Sequence, residues 1–307
     1  MSLIQCQGLS KQFAEKTVLD DLTFDLPNGQ PIALVGPNGA GKTTLFSILC
    51  GYIRPTSGAV TVFGQAPGSA ELFGRVSALP QDAQLDPRFS ICRQLVLYAQ
   101  LQGFNRRNAR IEAERVLSLM QLSDVLHQKP AALSHGMRKR VTIAQALIGS
   151  PELVLLDEPT AGLDPVNARN IRDLVSEHSD TTTFIISSHN LSELEELCST
   201  VLHLSNGRLQ QQVDLTGTGT QNTPNPLSYL TVHMDNCPAD AFISRISDIP
   251  GVETVEARQK NHFLISYHLI KTSPLDQALL QCIKESQWDY RQLIKGKTLE
   301  EQLFSNA

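Results

Sequence analysis

Nine consecutive residues carry the clearest chemistry in this chain: Gly36-Pro37-Asn38-Gly39-Ala40-Gly41-Lys42-Thr43-Thr44. They fit G-x-x-x-x-G-K-[ST], the spacing of a loop that cradles phosphates. Glycines let the backbone turn tightly and aim successive N–H groups inward, and a helix start adds partial positive charge. Lys42 has the length to reach β- and γ-phosphates, and Thr43 offers a hydroxyl to Mg²⁺. Two carboxylates, Asp157 and Glu158, stand together after the apolar run Leu153-Val154-Leu155-Leu156. An aspartate there suits the Mg²⁺ shell and a glutamate suits an attacking water. A lone histidine, His189, follows another apolar run, Thr183 to Ser187. Single histidines commonly serve structure, but the edge of a strand favours function for this one. Together these residues predict a nucleotide site.

Such residues need a parallel sheet beneath them. Pro31 to Val35 predicts a buried strand, and Leu45 to Cys50 a helix without breakers, so strand, loop and helix follow in order. Leu153 to Leu156 and Thr183 to Ser187 read as buried parallel strands, whose carboxyl ends hold ligands in open α/β sheets. Adjacent residues on a strand point opposite ways, which separates the roles of Asp157 and Glu158. Leu3 to Cys6, Val18 to Leu26 and Ala59 to Phe63 predict further strands. Val76 to Gln81 predicts one that ends on the polar amide of Gln81. Phe13 lies between the first two strands in a polar stretch. It reads either as a loop aromatic tucked into the core or as a flat ring for the adenine face.

Helical spacing covers Ile91 to Gln102 and Arg107 to Leu122, and the charged face from Arg106 to Arg115 reads as solvated. A third helix opens near Leu133-Ser134-His135-Gly136-Met137 and runs through Ile148, with Ser134 as N-cap. These helices form a block inserted between the two halves of the nucleotide site. The stretch 82–91 mixes apolar residues with turn formers. Its Leu85 and Phe89 either pack locally or stand exposed as a socket for a partner's helix.

Residues 216–226 hold nothing worth burying and predict a linker. Beyond it, alternation at Leu230, Val232 and Met234 and at Phe263, Ile265 and Tyr267, with Gly251 to Glu256 and Trp288 to Ile294, predicts four strands. Helical spacing over Asp240 to Ile246 and Pro274 to Ser286 completes a β-α-β-β-α-β order, the split ferredoxin-like arrangement. No phosphate loop or metal-ligand spacing occurs in this part.

At 307 residues the chain predicts two domains. Its net charge of −5 argues against a dedicated nucleic-acid binder. No apolar run reaches the length of a spanning helix and no signal-peptide pattern opens the chain. Cys6, Cys50, Cys92, Cys198, Cys237 and Cys282 lie far apart, which fits a reducing cytosol.

Taken in order, Phe13, Gly36 to Thr44, Gln81, Leu133 to Met137, Asp157-Glu158, Ala161-Gly162-Leu163-Asp164 and His189 make the chain from about 1 to 214 resemble the ATP-binding subunit of ABC transporters. The tail Lys297 to Phe304 is similar to the terminal helix of ATPases serving ABC-2-type exporters. The resemblance implies an α/β phosphate-loop NTPase fold over 1–215, with an inserted helical subdomain at about 88–150; the linker 216–226 and the small α+β domain over 227–307 follow from the residue pattern above. It implies ATP and Mg²⁺ as ligands, with Thr43, Gln81 and Asp157 around the metal. It also implies that Phe13 stacks on adenine, Gln81 senses γ-phosphate and Mg²⁺, Glu158 polarises the water and His189 contacts the γ-phosphate. Ser134, His135, Gly136 and Met137 would complete the site of an opposite subunit, and Asp164 would lie where the two meet.

One departure stands out. The family's usual L-S-G-G-Q is Leu133-Ser134-His135-Gly136-Met137 here, so a positive φ at position 135 would strain His135. By the same resemblance the partners are a separate membrane-spanning permease and a second copy or paralogue of the chain, with no nucleic acid. The place is the cytoplasmic face of the cell membrane. Two other functions stay open. A soluble ATPase acting on ribosomes or DNA is disfavoured by the acidic charge, and a subunit that binds without hydrolysing is disfavoured by the presence of Glu158 and His189.

Overall fold

The computed structural model describes residues 2–188, 191–214, 227–259, 261–268 and 275–295. They fall into two compact units, Met1–Thr218 and Gly219–Ala307. The expected linker lies outside the described residues, as does the exporter-like tail.

In the first unit two long strands, β1 (Ser2–Phe13) and β2 (Lys16–Pro27), form an antiparallel hairpin, and β4 (Ser57–Val62) pairs with the other edge of β1. Between β2 and β4 come β3 (Ile32–Val35) and α1 (Lys42–Leu49). The chain continues through β5 (Val76–Leu79), α2 (Ile91–Leu101), α3 (Arg106–Leu119) and α4 (His135–Ala146). It then forms β6 (Leu153–Asp157), α5 (Pro165–His178), β7 (Thr183–Ser187), α6 (Leu191–Leu197), β8 (Thr200–Ser205) and β9 (Arg208–Asp214). A six-stranded sheet takes the order β5-β6-β7-β3-β8-β9, parallel except for β9.

All residues of β3, β6 and β7 are buried. A parallel strand covered on both faces is apolar almost throughout, and that is why these runs do not alternate, with the buried polar Asp157, Thr183 and Ser187 standing only at strand ends. The hairpin strands β1 and β2 do alternate, and their inward Leu3, Cys6, Leu22 and Phe24 share one core with Leu34, Leu45, Ile48 and Leu155. Phe13 is therefore the last residue of a strand, paired with Lys16 across the tight turn at Ala14 and Glu15, and not part of a loop.

Ser90, Asn105 and Ser134 cap α2, α3 and α4, each accepting from a backbone N–H three residues on. The charged face of α3 is less solvated than its composition predicts. Glu112 is buried, 2.5 Å from Arg115 and 2.7 Å from the Gly149 N–H. Burial works against its carboxylate, but these partners outweigh it and hold the pKa below the usual range. Leu85 is 9% exposed and Phe89 half-buried, with the Arg93 guanidinium 4.6 Å from its ring centre. The local-packing reading of this loop is right for Leu85, and the exposed socket built on it falls.

The second unit is a four-stranded antiparallel sheet in the order β11-β12-β10-β13. Its elements are β10 (Leu227–Asn236), α7 (Ala239–Ser247), β11 (Val252–Gln259), β12 (His262–His268), α8 (Leu275–Glu285) and β13 (Asp289–Lys295). The core gathers Leu230, Val232, Phe263 and Ile265 from the sheet with Phe242, Ile246 and Leu279 from the helices. The Phe242 and Phe263 rings stack at 4.2 Å. Among the described residues, no helix is long and apolar enough to cross a membrane.

Candidate functional site: a phosphate cradle with two carboxylates

The cradle begins where β3 ends. A side chain at Gly36 would put Cβ 2.0 Å from the Leu204 carbonyl oxygen, so the turn tolerates nothing larger. Gly41, at φ +108°, occupies the N-cap of α1 in left-handed backbone that favours glycine. Lys42 is only 8% exposed, and its Nζ reaches back across the loop to donate to Gly36 O at 2.7 Å and Pro37 O at 3.4 Å. A buried ammonium needs such partners, and phosphate oxygens would serve it better than carbonyls. Around the loop lies a cleft of about 390 Å³ lined by Lys16, Val18, Asn38 to Thr44, Gln81, Asp157 and Glu158.

Opposite the loop, Asp157 ends β6 beside Ser187, its partner in the parallel register. Asp157 Oδ2 accepts from Thr43 Oγ1 at 2.8 Å, and its Oδ1 accepts from Ser187 Oγ at 2.5 Å. A hydroxyl and a carboxylate thus meet at the mouth of the cradle, an oxygen set that suits a hard divalent cation. Glu158 is not the next strand residue in pleat. Its φ is +49°, and its N–H donates to Ser187 Oγ at 2.9 Å and Ser187 O at 3.1 Å. The backbone turns left-handed after Asp157, so strand alternation does not set the place of Glu158, and both carboxylates line the one cleft. Strain at a non-glycine residue persists where neighbours impose it, and Ser187 does so here.

Gln81 lies two residues beyond β5 and lines the same cleft. Its backbone oxygen accepts from Lys139 Nζ of α4 at 3.4 Å. Burial pushes the Lys139 ammonium below its usual range, against the pull of Asp157 and Glu158.

Ser134 caps α4 as expected, its Oγ accepting from Met137 N at 3.2 Å. His135 is the first residue of the helix and is absent from the residues with positive φ, so the anticipated strain does not exist. Ser134 and His135 are exposed, Met137 half-buried and Gly136 buried. A Cβ at Gly136 would fall 2.6 Å from the Asn167 amide nitrogen, which itself donates to Asp164 Oδ2 at 2.6 Å. Asp164 is the N-cap of α5, accepting also from Val166 N and Asn167 N.

The fold thus brings the cradle, Gln81, Asp157 and Glu158 to one cleft. Ser134, Gly136 and Asp164 do not line it. Phe13, 46% exposed with the Lys11 ammonium 4.8 Å from its ring centre, stands at the hairpin turn opposite Lys16, which does line it. His189 lies outside the described residues. Sequence reasoning missed Ser187, Lys16, Lys139 and Asn167. Only Ser187 had a visible signal, as the polar end of a buried apolar strand.

A parallel sheet whose strand ends carry a phosphate loop and an Asp-Glu pair defines a phosphate-loop nucleotide hydrolase. Comparison with known proteins narrows this class. Residues 19–161 match the family described as ABC transporter. The chain is 36% identical over 210 residues to Nod factor export ATP-binding protein I of Ralstonia nicotianae, covering 67% of this chain and 65% of that protein. It is 31% identical over 210 residues to linearmycin resistance ATP-binding protein LnrL of Bacillus subtilis, covering 67% and 68%. A solved ATP-binding subunit of an ABC transporter superposes with a TM-score of 0.63 at 28% identity, over 69% of this chain and 90% of that one. The chain belongs to the ABC transporter family, as an ATP-binding subunit.

Proposed function

We propose that the chain binds Mg²⁺ and ATP in the cleft around Gly36 to Thr44 and couples hydrolysis to export by a separate membrane-spanning subunit. The observation that carries the reading is the continuous set Thr43, Asp157, Ser187 and Glu158, which joins the phosphate loop to the carboxylates through direct hydrogen bonds. Thr43, Asp157 and Gln81 would hold the cation, which when bound neutralises phosphate charge and orients the terminal phosphoryl group. Lys42 turns its ammonium from the loop carbonyls to the substrate's phosphates. Glu158, held by Ser187, orients water and accepts its proton. His189 is assigned to the γ-phosphate and Phe13 to the adenine face.

Ser134, His135, Gly136 and Met137 serve a nucleotide bound to a second copy or paralogue, with Asp164 at the contact. Their absence from this chain's own cleft supports action across a dimer. Pairing on ATP and release after hydrolysis form the two-state element that drives the membrane partner. Export follows the roles that the relatives' names give them, and the working place is the cytoplasmic membrane face. Leu97 and Leu101, one turn apart on α2 and each more than half exposed, offer apolar contact to the partner.

Replacing Lys42 with alanine tests the binding step. The ammonium's contribution is lost, so affinity for ATP falls on the order of tenfold or more. Titration with a fluorescent ATP analogue measures it, and unchanged affinity contradicts the site.

A further inference from the structure

Beside the nucleotide cleft lies a second cavity, of about 430 Å³, which also has Gln81 in its wall. The first turns of α4 contribute His135, Arg138, Lys139 and Thr142 to its lining, and Ala161 also lines it. His135, Lys139 and Thr142 recur at helical spacing, so one face of the signature helix looks into the cavity. His135 on this face serves the opposite nucleotide, whereas Lys139 and Thr142 have no part in either nucleotide site described so far. Lys139 lines this second cavity and contacts Gln81, the residue that lines both. Its Nζ is 3.4 Å from the Gln81 carbonyl oxygen, and its ammonium is close enough to Asp157 and Glu158 to feel both carboxylates.

The Gln81 loop leaves β5 after Leu79 and turns at once, with Ala83 N–H donating to Pro80 O. Gln81 itself is exposed, so sheet packing does not fix its place. A lysine donating from a capped helix supplies a fixed point that the sheet does not. The helix is anchored by the Ser134 cap and by Gly136 against Asn167, so the ammonium is referenced to α4 and α5 together. A neutral side chain would give a weaker bond here, because charge assistance strengthens donation to a carbonyl.

We propose that Lys139 is the positioning residue for Gln81, tying the loop that serves this chain's own nucleotide to the helix that serves the opposite one. The tie gives each loop a mechanical report of whether the adjoining signature helix is engaged. The inference rests on the assignment of Gln81 to the nucleotide site.

Steady-state ATPase of the full chain tests it, with Lys139→Met, Lys139→Arg, Gln81→Ala and the double variant Gln81→Ala/Lys139→Met. Lys139→Met is expected to lower kcat on the order of tenfold, as a small misplacement of a positioning group does, with KM for ATP changed less than about twofold. Lys139→Arg keeps the charge and restores kcat to within about threefold of wild type. In the Gln81→Ala background Lys139→Met costs less than about twofold, since no side chain remains to be positioned. Should Lys139→Met fail to fold, Lys139→Gln takes its place in each comparison. Wild-type kcat in Lys139→Met, equal losses in the Met and Arg variants, or a fully additive double variant overturns the proposal. Unchanged kcat in Gln81→Ala alone instead overturns the assignment of Gln81, a separate failure.

Discussion

Ser187 does more at the residue scale than its type suggests. One hydroxyl donates to Asp157 and accepts from the Glu158 N–H, so it fixes a carboxylate and a left-handed backbone at once. Removing it leaves a buried carboxylate oxygen and a buried N–H each short of a partner, although Ser187 O still accepts from that N–H. Ser187→Ala is therefore expected to cost about 1–3 kcal/mol of stability. It should also lower turnover more than ATP affinity, because Glu158 loses its support. Chemical denaturation and steady-state kinetics check both. An unchanged denaturation midpoint would show that the carbonyl alone holds Glu158.

At the scale of elements the helix start at His135 corrects a sequence argument. A family pattern with glycine in this place suggests backbone that histidine tolerates badly, yet the chain simply enters a capped helix there. His135→Gly relieves no strain and adds unfolded-state freedom, so stability falls by roughly 0.5 kcal/mol. A rise in the denaturation midpoint would reveal strain after all. The glycine that is needed is Gly136, for a reason no local pattern could disclose: Asn167, thirty-one positions on by sequence number, occupies the space of its Cβ.

Elements with strong periodicity or continuous apolar runs were legible in the sequence, among them β3, β6, β7, α2 and α3. The phosphate loop was legible too, since its glycines and Lys42 have few other uses. What escaped was set by partners distant in sequence. β1 continues to Phe13 because two neighbouring strands supply its hydrogen bonds, not because residues 7–13 look like a strand. β8 and β9 are held by pairing in the same way. The helix α5 went unnoticed although Asp164-Pro165 is a sound start signal, an N-cap followed by proline at the first helical position. Glu158 could not be placed by strand alternation, because its left-handed φ depends on Ser187 from a neighbouring strand.

At the scale of the whole molecule, the cleft and the second hydrophobic core lie in different units. Every described residue of the nucleotide cleft belongs to the first unit, and Phe242, fully buried in the second, packs on Phe263 at 4.2 Å. Phe242→Ala should destabilise the second unit by about 3–5 kcal/mol while ATP affinity stays at the wild-type value. Calorimetry paired with nucleotide titration reads both, and a parallel loss of affinity would mean that the units are energetically coupled.

The central claim is that Glu158 drives hydrolysis in a site that opens and closes with its partner copy. Glu158→Gln keeps the shape and removes the base, so the most direct measurement is its ATP turnover together with its mass in solution with Mg²⁺ and ATP. The account predicts turnover lower by on the order of 10²–10⁴-fold, wild-type ATP affinity, and a stable ATP-bound dimer. Turnover equal to wild type, or a variant that stays monomeric with ATP bound, would contradict it.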